Sequence, residues 1–132
     1  MASIHQEQAI RLGPEQVWDA VRDVGALHTR LVAGFVTDCR LDGEARIVDF
    51  ANGMTARELI VDVDDNQRRL CWAAVGAPLK HHNASLQVLA EGDGHSRVVW
   101  IADLLPHEFA PTVEAMMVQG LAAMKRTLED AA

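Results

Sequence analysis

The sequence contains no tyrosine, only two cysteines, and no apolar run near the roughly 20 residues that a membrane-spanning helix needs. The lack of tyrosine removes one common general acid and phenolic hydrogen-bond donor. Cys39 and Cys71 form no CxxC pair, and each lies in an apolar, strand-like segment. We therefore expect two buried, reduced thiols rather than a disulfide or a catalytic nucleophile.

Positive charge is also scarce. The chain has 12 Lys and Arg residues against 19 Asp and Glu residues, which gives a formal net charge of -7. An acidic surface repels phosphate backbones, so we expect no nucleic acid partner, and no basic cluster is present that would dock on anionic lipid. The opening residues, MASIHQEQAI, lack the basic and apolar regions of a secretory signal. We expect a cytoplasmic protein without membrane insertion.

The first part of the chain predicts one strand followed by helical segments. Residues 3–12 read as a strand, and Pro14 then suits the first position of a helix. Valines recur at helical spacing as far as Val24. Residues 26–34, ALHTRLVAG, predict a second short helical turn or a loop.

The middle of the chain predicts strands separated by turns. Asp42-Gly43 and Asn52-Gly53 are typical of two-residue hairpins, because both central positions of such turns favour positive φ. The connections are short, so neighbouring strands should pair as an antiparallel meander. Strands are predicted near residues 35–41, 44–51, 54–63, 68–75, 80–91 and 95–105.

The end of the chain predicts one long helix. Pro111 falls in its first turn, where a missing N–H does no harm, and Gly120 lies beside its apolar face. That face comprises Phe109, Val113, Met117, Leu121, Met124 and Leu128. The chain therefore predicts an α+β fold, in which a curved, seven-stranded antiparallel sheet is covered on its concave side by the C-terminal helix.

Six segments that follow one another in this order carry a family resemblance. They are PEQVWDAVRDVGAL, CRLDGEARIV, ARELIVDVDD, RRLCWAAV, ASLQVLAEGDGHSRVVWIADLLP and GLAAMKRTLE. In these segments the chain resembles the START/Bet v 1-like superfamily, also called SRPBCC, and within it bacterial proteins labelled polyketide cyclase/dehydrase and lipid transport. The resemblance implies a single START/Bet v 1-like domain over residues 1–132. It also implies a helix-grip fold with two short helices after strand 1 and an elongated cavity between the sheet and the last helix.

The alternation of side chains along each strand predicts which residues face that cavity. In the sixth strand, Ala84, Leu86 and Val88 should point inward together with His82, while His81 points outward. Trp72 and Trp100 should face inward from the fifth and seventh strands. They could serve as flat walls for a ring system or simply as large core residues.

In the fourth strand, the more apolar set is Leu59, Val61 and Val63, and Arg57 shares its parity. This pattern predicts an inward-facing Arg57 near the rim of the cavity. Its guanidinium could bind a carboxylate or another anionic group of a ligand. Alternatively, its aliphatic part packs on apolar surface while the charge reaches water.

His82 and Arg57 are the candidate catalytic residues. A neutral imidazole in an apolar cavity could act as a general base or orient a ligand carbonyl, or it could be a core-edge histidine bonded to a backbone carbonyl. His81 and His82 cannot share a metal ion, because neighbouring residues on a strand point to opposite faces. We expect neither a metal nor a cofactor.

The soft face of the last helix completes the predicted site. Met117, Leu121 and Met124 suit variable ligands or fill the core, and Gly120 leaves room for a sheet side chain or a ligand.

These residues favour binding of a small hydrophobic or amphipathic molecule, lipid- or polyketide-like according to the resemblance, by a monomer or a homodimer. One alternative is a cyclase- or dehydratase-type enzyme, in which Arg57 polarises a carbonyl and His82 moves a proton. The other is a cochaperone-like interaction protein, which would have a collapsed interior and an exposed apolar patch.

Overall fold

Seven strands, one short helix and one long helix make up the fold in the computed structural model, which describes residues 2–76 and 78–131. Strand β1 leads to helix α1 and a π-helical turn, strands β2 to β7 follow, and a 3-10 turn precedes helix α2. The bounds are β1 Ala2–Ile10, α1 Pro14–Arg22, the π-helical turn Leu27–Leu31, β2 Val36–Asp42, β3 Ala45–Phe50, β4 Thr55–Asp64, β5 Arg69–Val75, β6 His81–Ala90, β7 Ser96–Leu105, the 3-10 turn His107–Phe109 and α2 Ala110–Asp130.

The strands form one antiparallel sheet in the order β1-β7-β6-β5-β4-β3-β2. Chain neighbours from β2 to β7 are also neighbours in the sheet, because every connection between them is too short for a crossover. The predicted helix-grip architecture is confirmed. The second predicted helical segment is the π-helical turn at Leu27–Leu31.

Helix α2 lies against the concave face of the sheet and buries most of its predicted apolar face. Met117, Leu121, Met124 and Leu128 are buried, whereas Phe109 and Val113 near its start are half-buried. On the sheet, inner residues of β6 and β7 such as Leu86 and Leu104 complete the core, as their parity predicted. None of the helices in residues 2–76 and 78–131 is long and apolar enough to cross a membrane.

Hydrogen bonds fix the C-terminal end of α2. The Glu129 carboxylate accepts bonds from the backbone N–H of Arg11 at 2.8 Å and from Lys125 Nζ at 2.6 Å. These donors, with the Arg11 guanidinium, lower the pKa of Glu129 from its usual value to about 2. Thr127 Oγ1 accepts a further bond from the backbone N–H of Ala33 at 3.1 Å.

The prediction for the inner face of β4 is wrong. Glu58 is buried, whereas Leu59 and Val61 are exposed on the convex side. A register shift between Ile60 and Asp62 then brings Val63 opposite Leu70, although Val63 remains exposed. The apolar count was misleading because it compared only the apolar residues and left Glu58 out, although a carboxylate can be buried when it is paired.

Both cysteines are buried and free, as predicted. Burial raises the pKa of the Cys39 thiol, which keeps it protonated and unreactive.

Candidate ligand-binding cavity

A cavity of about 190 Å³ lies between the concave face of the sheet and helix α2. Side chains from β2 to β7, from both helices and from the π-helical turn line it, and nearly all of them are apolar. Three of the lining residues are exposed to solvent: Met54 in the β3–β4 connection, Pro78 in the β5–β6 loop and Thr112 in the first turn of α2. The cavity therefore reaches solvent beside these three segments.

Five of the predicted site residues line this cavity: Trp72, His82, Trp100, Met117 and Met124. The two indole rings lie with their centroids 5.7 Å apart and their planes tilted by 56°. They provide a continuous aromatic wall on the sheet side, and the two methionines face it from the helix.

The predicted placement of Arg57 is wrong. Arg57 is exposed on the convex face of β4, where its guanidinium pairs with the carboxylate of Asp42. It does not line the cavity. The reason is the reversed parity of β4, since Arg57 shares the outward face with Leu59.

Gly120 and Leu121 also lie outside the cavity lining. A Cβ atom on Gly120 would lie 3.0 Å from Trp100 Cζ3 and 3.2 Å from Phe35 Cε2, both too close for normal packing. Two aromatic side chains therefore fill the notch in the helix, which is one of the two predicted uses of this glycine. Leu121 is fully packed in the core between helix and sheet.

Sequence reasoning missed a buried ion pair in the cavity wall. Arg46 on β3 and Glu58 on β4 are directly opposite each other, with Arg46 Nε donating to Glu58 Oε1 at 2.8 Å. Arg46 Nη1 also donates to the Val24 carbonyl at 3.2 Å, and the guanidinium lies 5.6 Å from the centroid of the Trp72 ring. The pair, the backbone acceptor and the aromatic face together compensate the burial of the arginine.

A sequence signal for this pair did exist. Arg46 alternates with Val48 and Phe50 in β3, so an apolar inner face there carries Arg46 inward. A buried arginine requires a carboxylate on a neighbouring strand, and Glu58 is the only acidic residue in the first half of β4. Assigning the faces of β3 and β4 together would have identified both residues.

His82 faces the cavity as predicted, with a different hydrogen bond from the expected one. Its Nδ1 accepts a bond from the backbone N–H of Ala74 at 2.9 Å rather than donating to a carbonyl. Nδ1 therefore carries no proton, and in the neutral ring the proton is on Nε2. Burial lowers the pKa of His82, the positive charge of a protonated His81 lowers it further, and Asp103 opposes both.

This tautomer determines what His82 can do chemically. The nitrogen that could abstract a proton is occupied by Ala74, and the other nitrogen presents an N–H donor. His82 is therefore arranged to hydrogen bond to a ligand oxygen rather than to act as a general base. The ring of Trp100 also lines the cavity, while its indole N–H is sealed from solvent and has no hydrogen-bond partner among residues 2–76 and 78–131.

The fold and its internal apolar cavity define a START-like, helix-grip protein. Similar solved structures include the protein XoxI from Bacillus cereus, which is 22% identical with a TM-score of 0.87 over 99% of this chain and 98% of that one. A START superfamily protein from Mycobacterium smegmatis is 12% identical, with a TM-score of 0.75 over 98% and 99% of the two chains. At these identities the likeness shows the fold alone.

A further similar structure is the di-domain ARO/CYC BexL from the BE-7585A biosynthetic pathway. It is 14% identical, with a TM-score of 0.82 over 98% of this chain and 47% of that one. No curated protein matches the chain in sequence. The chain belongs to the polyketide cyclase/dehydrase and lipid transport family, whose model matches residues 1–129.

Proposed function

We propose that the protein binds a small hydrophobic or amphipathic molecule in the cavity between the sheet and helix α2. The observation that carries this proposal is the cavity itself, which reaches solvent, is apolar over most of its wall and is supplied with few polar groups. Binding sites for small molecules combine these properties. The cochaperone-like alternative calls for a collapsed interior and is less well supported.

Titration with N-phenyl-1-naphthylamine, whose fluorescence rises in apolar surroundings, tests this proposal. Ala56→Leu adds bulk to the cavity lining, whereas Ala122→Leu adds the same bulk on the exposed side of α2. We expect saturable binding to the parent protein and to Ala122→Leu, and at least tenfold weaker binding to Ala56→Leu. Equal binding to both variants would place the probe elsewhere on the protein and contradict the proposal.

Native mass spectrometry of the freshly purified protein provides a second test. A co-purified small molecule that is lost in Ala56→Leu and kept in Ala122→Leu would identify the natural ligand class.

A cyclase- or dehydratase-type activity is a second candidate, favoured by the presence of three ionisable residues, Arg46, Glu58 and His82, in one apolar cavity. In such an enzyme, the Nε2–H of His82 would polarise a substrate oxygen by hydrogen bonding to it. If the co-purified molecule is converted to a product that has lost water, turnover by His82→Asn should fall at least 100-fold. Unchanged turnover in that variant would exclude this role for His82.

A further inference from the structure

A row of four residues crosses the cavity wall on four consecutive strands. Arg46 on β3 is paired with Glu58 on β4, and Glu58 is paired with Ala74 on β5. The backbone N–H of Ala74 then bonds to His82 on β6. All four residues line the cavity. Neighbouring strands of a sheet lie about 4.8 Å apart, so the backbones of Glu58 and His82 are roughly 10 Å apart, with the backbone of Ala74 between them.

Ala74 leaves a recess in this row. Its methyl group is the smallest side chain of the four, and it is half-buried rather than covered by a neighbour. A larger residue would fill the space between the Glu58 carboxylate and the His82 ring. The gap above Ala74 is therefore bordered by an acidic residue on one side and an imidazole on the other.

On each side of the recess one polar side-chain atom is free to form a further hydrogen bond. Glu58 uses Oε1 for Arg46, and His82 uses Nδ1 for Ala74. Among residues 2–76 and 78–131, neither Glu58 Oε2 nor His82 Nε2 has a protein partner, and neither is among the polar atoms sealed from water. Polar atoms in this condition require water or a ligand group as a partner.

Charge decides which ligand group suits the recess. Arg46 already neutralises Glu58, so the row carries no net charge when His82 is neutral. A ligand carboxylate would meet the Glu58 carboxylate, and a ligand ammonium would lose its solvation next to Arg46 without a free counter-charge. A neutral hydroxyl can donate to Glu58 Oε2 and accept from the Nε2–H of His82 at the same time.

We propose that the recess over Ala74, between Glu58 and His82, is a subsite that recognises one neutral hydroxyl group on a flat, apolar ligand. Trp72 and Trp100 supply the flat surface for the rest of that molecule. This inference rests on the proposed binding function and narrows its ligand class to hydroxylated ring systems.

Competition against N-phenyl-1-naphthylamine at pH 7.5 tests the subsite with three matched probes: naphthalene, 2-naphthol and 2-naphthoate. We expect 2-naphthol to bind about tenfold more tightly than naphthalene. Its hydroxyl group can form hydrogen bonds with Glu58 Oε2 and His82 Nε2, whereas with naphthalene bound only water can be their partner. We expect 2-naphthoate to bind more weakly than 2-naphthol because its charge faces Glu58.

Three variants locate the effect. Asn in His82→Asn can keep an oxygen acceptor for the Ala74 N–H, but its shorter side chain cannot place an N–H at the position of Nε2. Ala74→Val fills the recess. Both should reduce the preference for 2-naphthol over naphthalene to about twofold or less. Ala73→Val makes the same change on the convex face of β5 and should leave the preference unaltered. Circular dichroism checks that each variant is folded.

The outcomes separate this inference from the proposed function. Equal affinity for naphthalene and 2-naphthol in the parent protein would overturn the subsite and leave the binding function intact. A preference that survives in His82→Asn would also overturn it. Tightest binding by 2-naphthoate would show an anion site at Arg46 instead. Failure of all three probes to compete would contradict the binding function together with the subsite.

Discussion

Two arginine–carboxylate pairs lie on opposite faces of the sheet, and each has one partner on β4. Arg46 and Glu58 are on the concave face, with side chains 3% and 11% exposed. Arg57, the residue before Glu58 on β4, pairs with Asp42 of β2 on the convex face, where the side chains are 44% and 64% exposed. The two pairs consist of the same chemical groups, and only the parity of the strand determines which of them the cavity contains.

The difference teaches that a charge on a strand cannot be assigned to a face one strand at a time. A buried ion pair gains little net stability, because desolvation of both ions offsets their attraction. Removing one partner, however, leaves a charge in an apolar wall. An exposed pair contributes little in either case, because water and salt screen it.

Glu58→Leu should give the largest effect. It leaves the Arg46 guanidinium buried against Trp72 without a counter-charge, and we expect the free energy of unfolding to fall by about 3 kcal/mol. Urea denaturation measures the loss. The double variant Arg46→Met/Glu58→Leu should recover most of it, since no charge is then buried. A double variant as unstable as the single one would show that the pair itself stabilises the fold.

His82→Ala should cost less, about 2 kcal/mol, because the backbone N–H of Ala74 loses the acceptor that His82 Nδ1 provides. The matched control is His81→Ala, one residue away on the convex face, which should leave the free energy of unfolding nearly unchanged. Equal losses in the two variants would mean that the bond to Ala74 contributes nothing.

The pH dependence of stability should also distinguish the two histidines. The pKa of His82 is lowered in the folded protein, so below its ordinary value of about 6.5 the unfolded chain binds more protons than the folded one. The stabilisation that depends on neutral His82 is complete above about pH 6.5 and is lost as the pH falls through the folded-state pKa.

Unfolding measured at pH 7.5 and pH 5.5 should therefore show a loss of stability on acidification that is smaller in His82→Asn. His81→Asn serves as the control and should keep most of the loss. If His82→Asn retains the full loss, another group titrates in this range.

Arg57→Ala is expected to change the free energy of unfolding by less than about 1 kcal/mol, because its ion pair with Asp42 is exposed. Binding of N-phenyl-1-naphthylamine should not change, since Arg57 does not line the cavity. A tenfold loss of probe affinity would show that Arg57 contributes to binding and would contradict its assignment to the convex face.

Val61→Thr should have the smallest effect, within about 0.5 kcal/mol. Val61 is the extra residue at the register shift in β4. Its side chain is exposed, although the apolar pattern predicted that it faces inward. A loss of more than 2 kcal/mol in urea denaturation would indicate that this side chain is covered in solution.

The sequence was sufficient to predict the order of the elements and the inner faces of β5, β6 and β7. In β6 one parity is clearly apolar. In β7 both parities are apolar and only one keeps the Asp103 carboxylate outside, and in β5 the burial of Trp72 decides. Of the five predicted ligand-binding residues that line the cavity, Trp72, His82 and Trp100 lie on these strands, whereas Met117 and Met124 belong to the apolar face of α2.

The errors at β4 have a different physical origin. On its inner face the charge of Glu58 is neutralised by Arg46 of β3, a residue on another strand. The pairing of these two residues depends on the register between β3 and β4. Asn52 and Gly53 were predicted as a two-residue turn, but the connection between the strands spans residues 51–54. The geometry of this hairpin, which sequence alone did not supply, aligned the two charges.

The bond between the Ala74 amide and the His82 ring has one more consequence. The backbone ladder between β5 and β6 ends at Trp72 and Ala84, so a side chain rather than a carbonyl shields this amide from deuterium exchange. Its exchange rate should accelerate when the imidazole acquires a second proton and slow when a bound molecule covers the ring. A single NMR cross-peak would then report both the ionisation and the occupancy of the interior, without any added label.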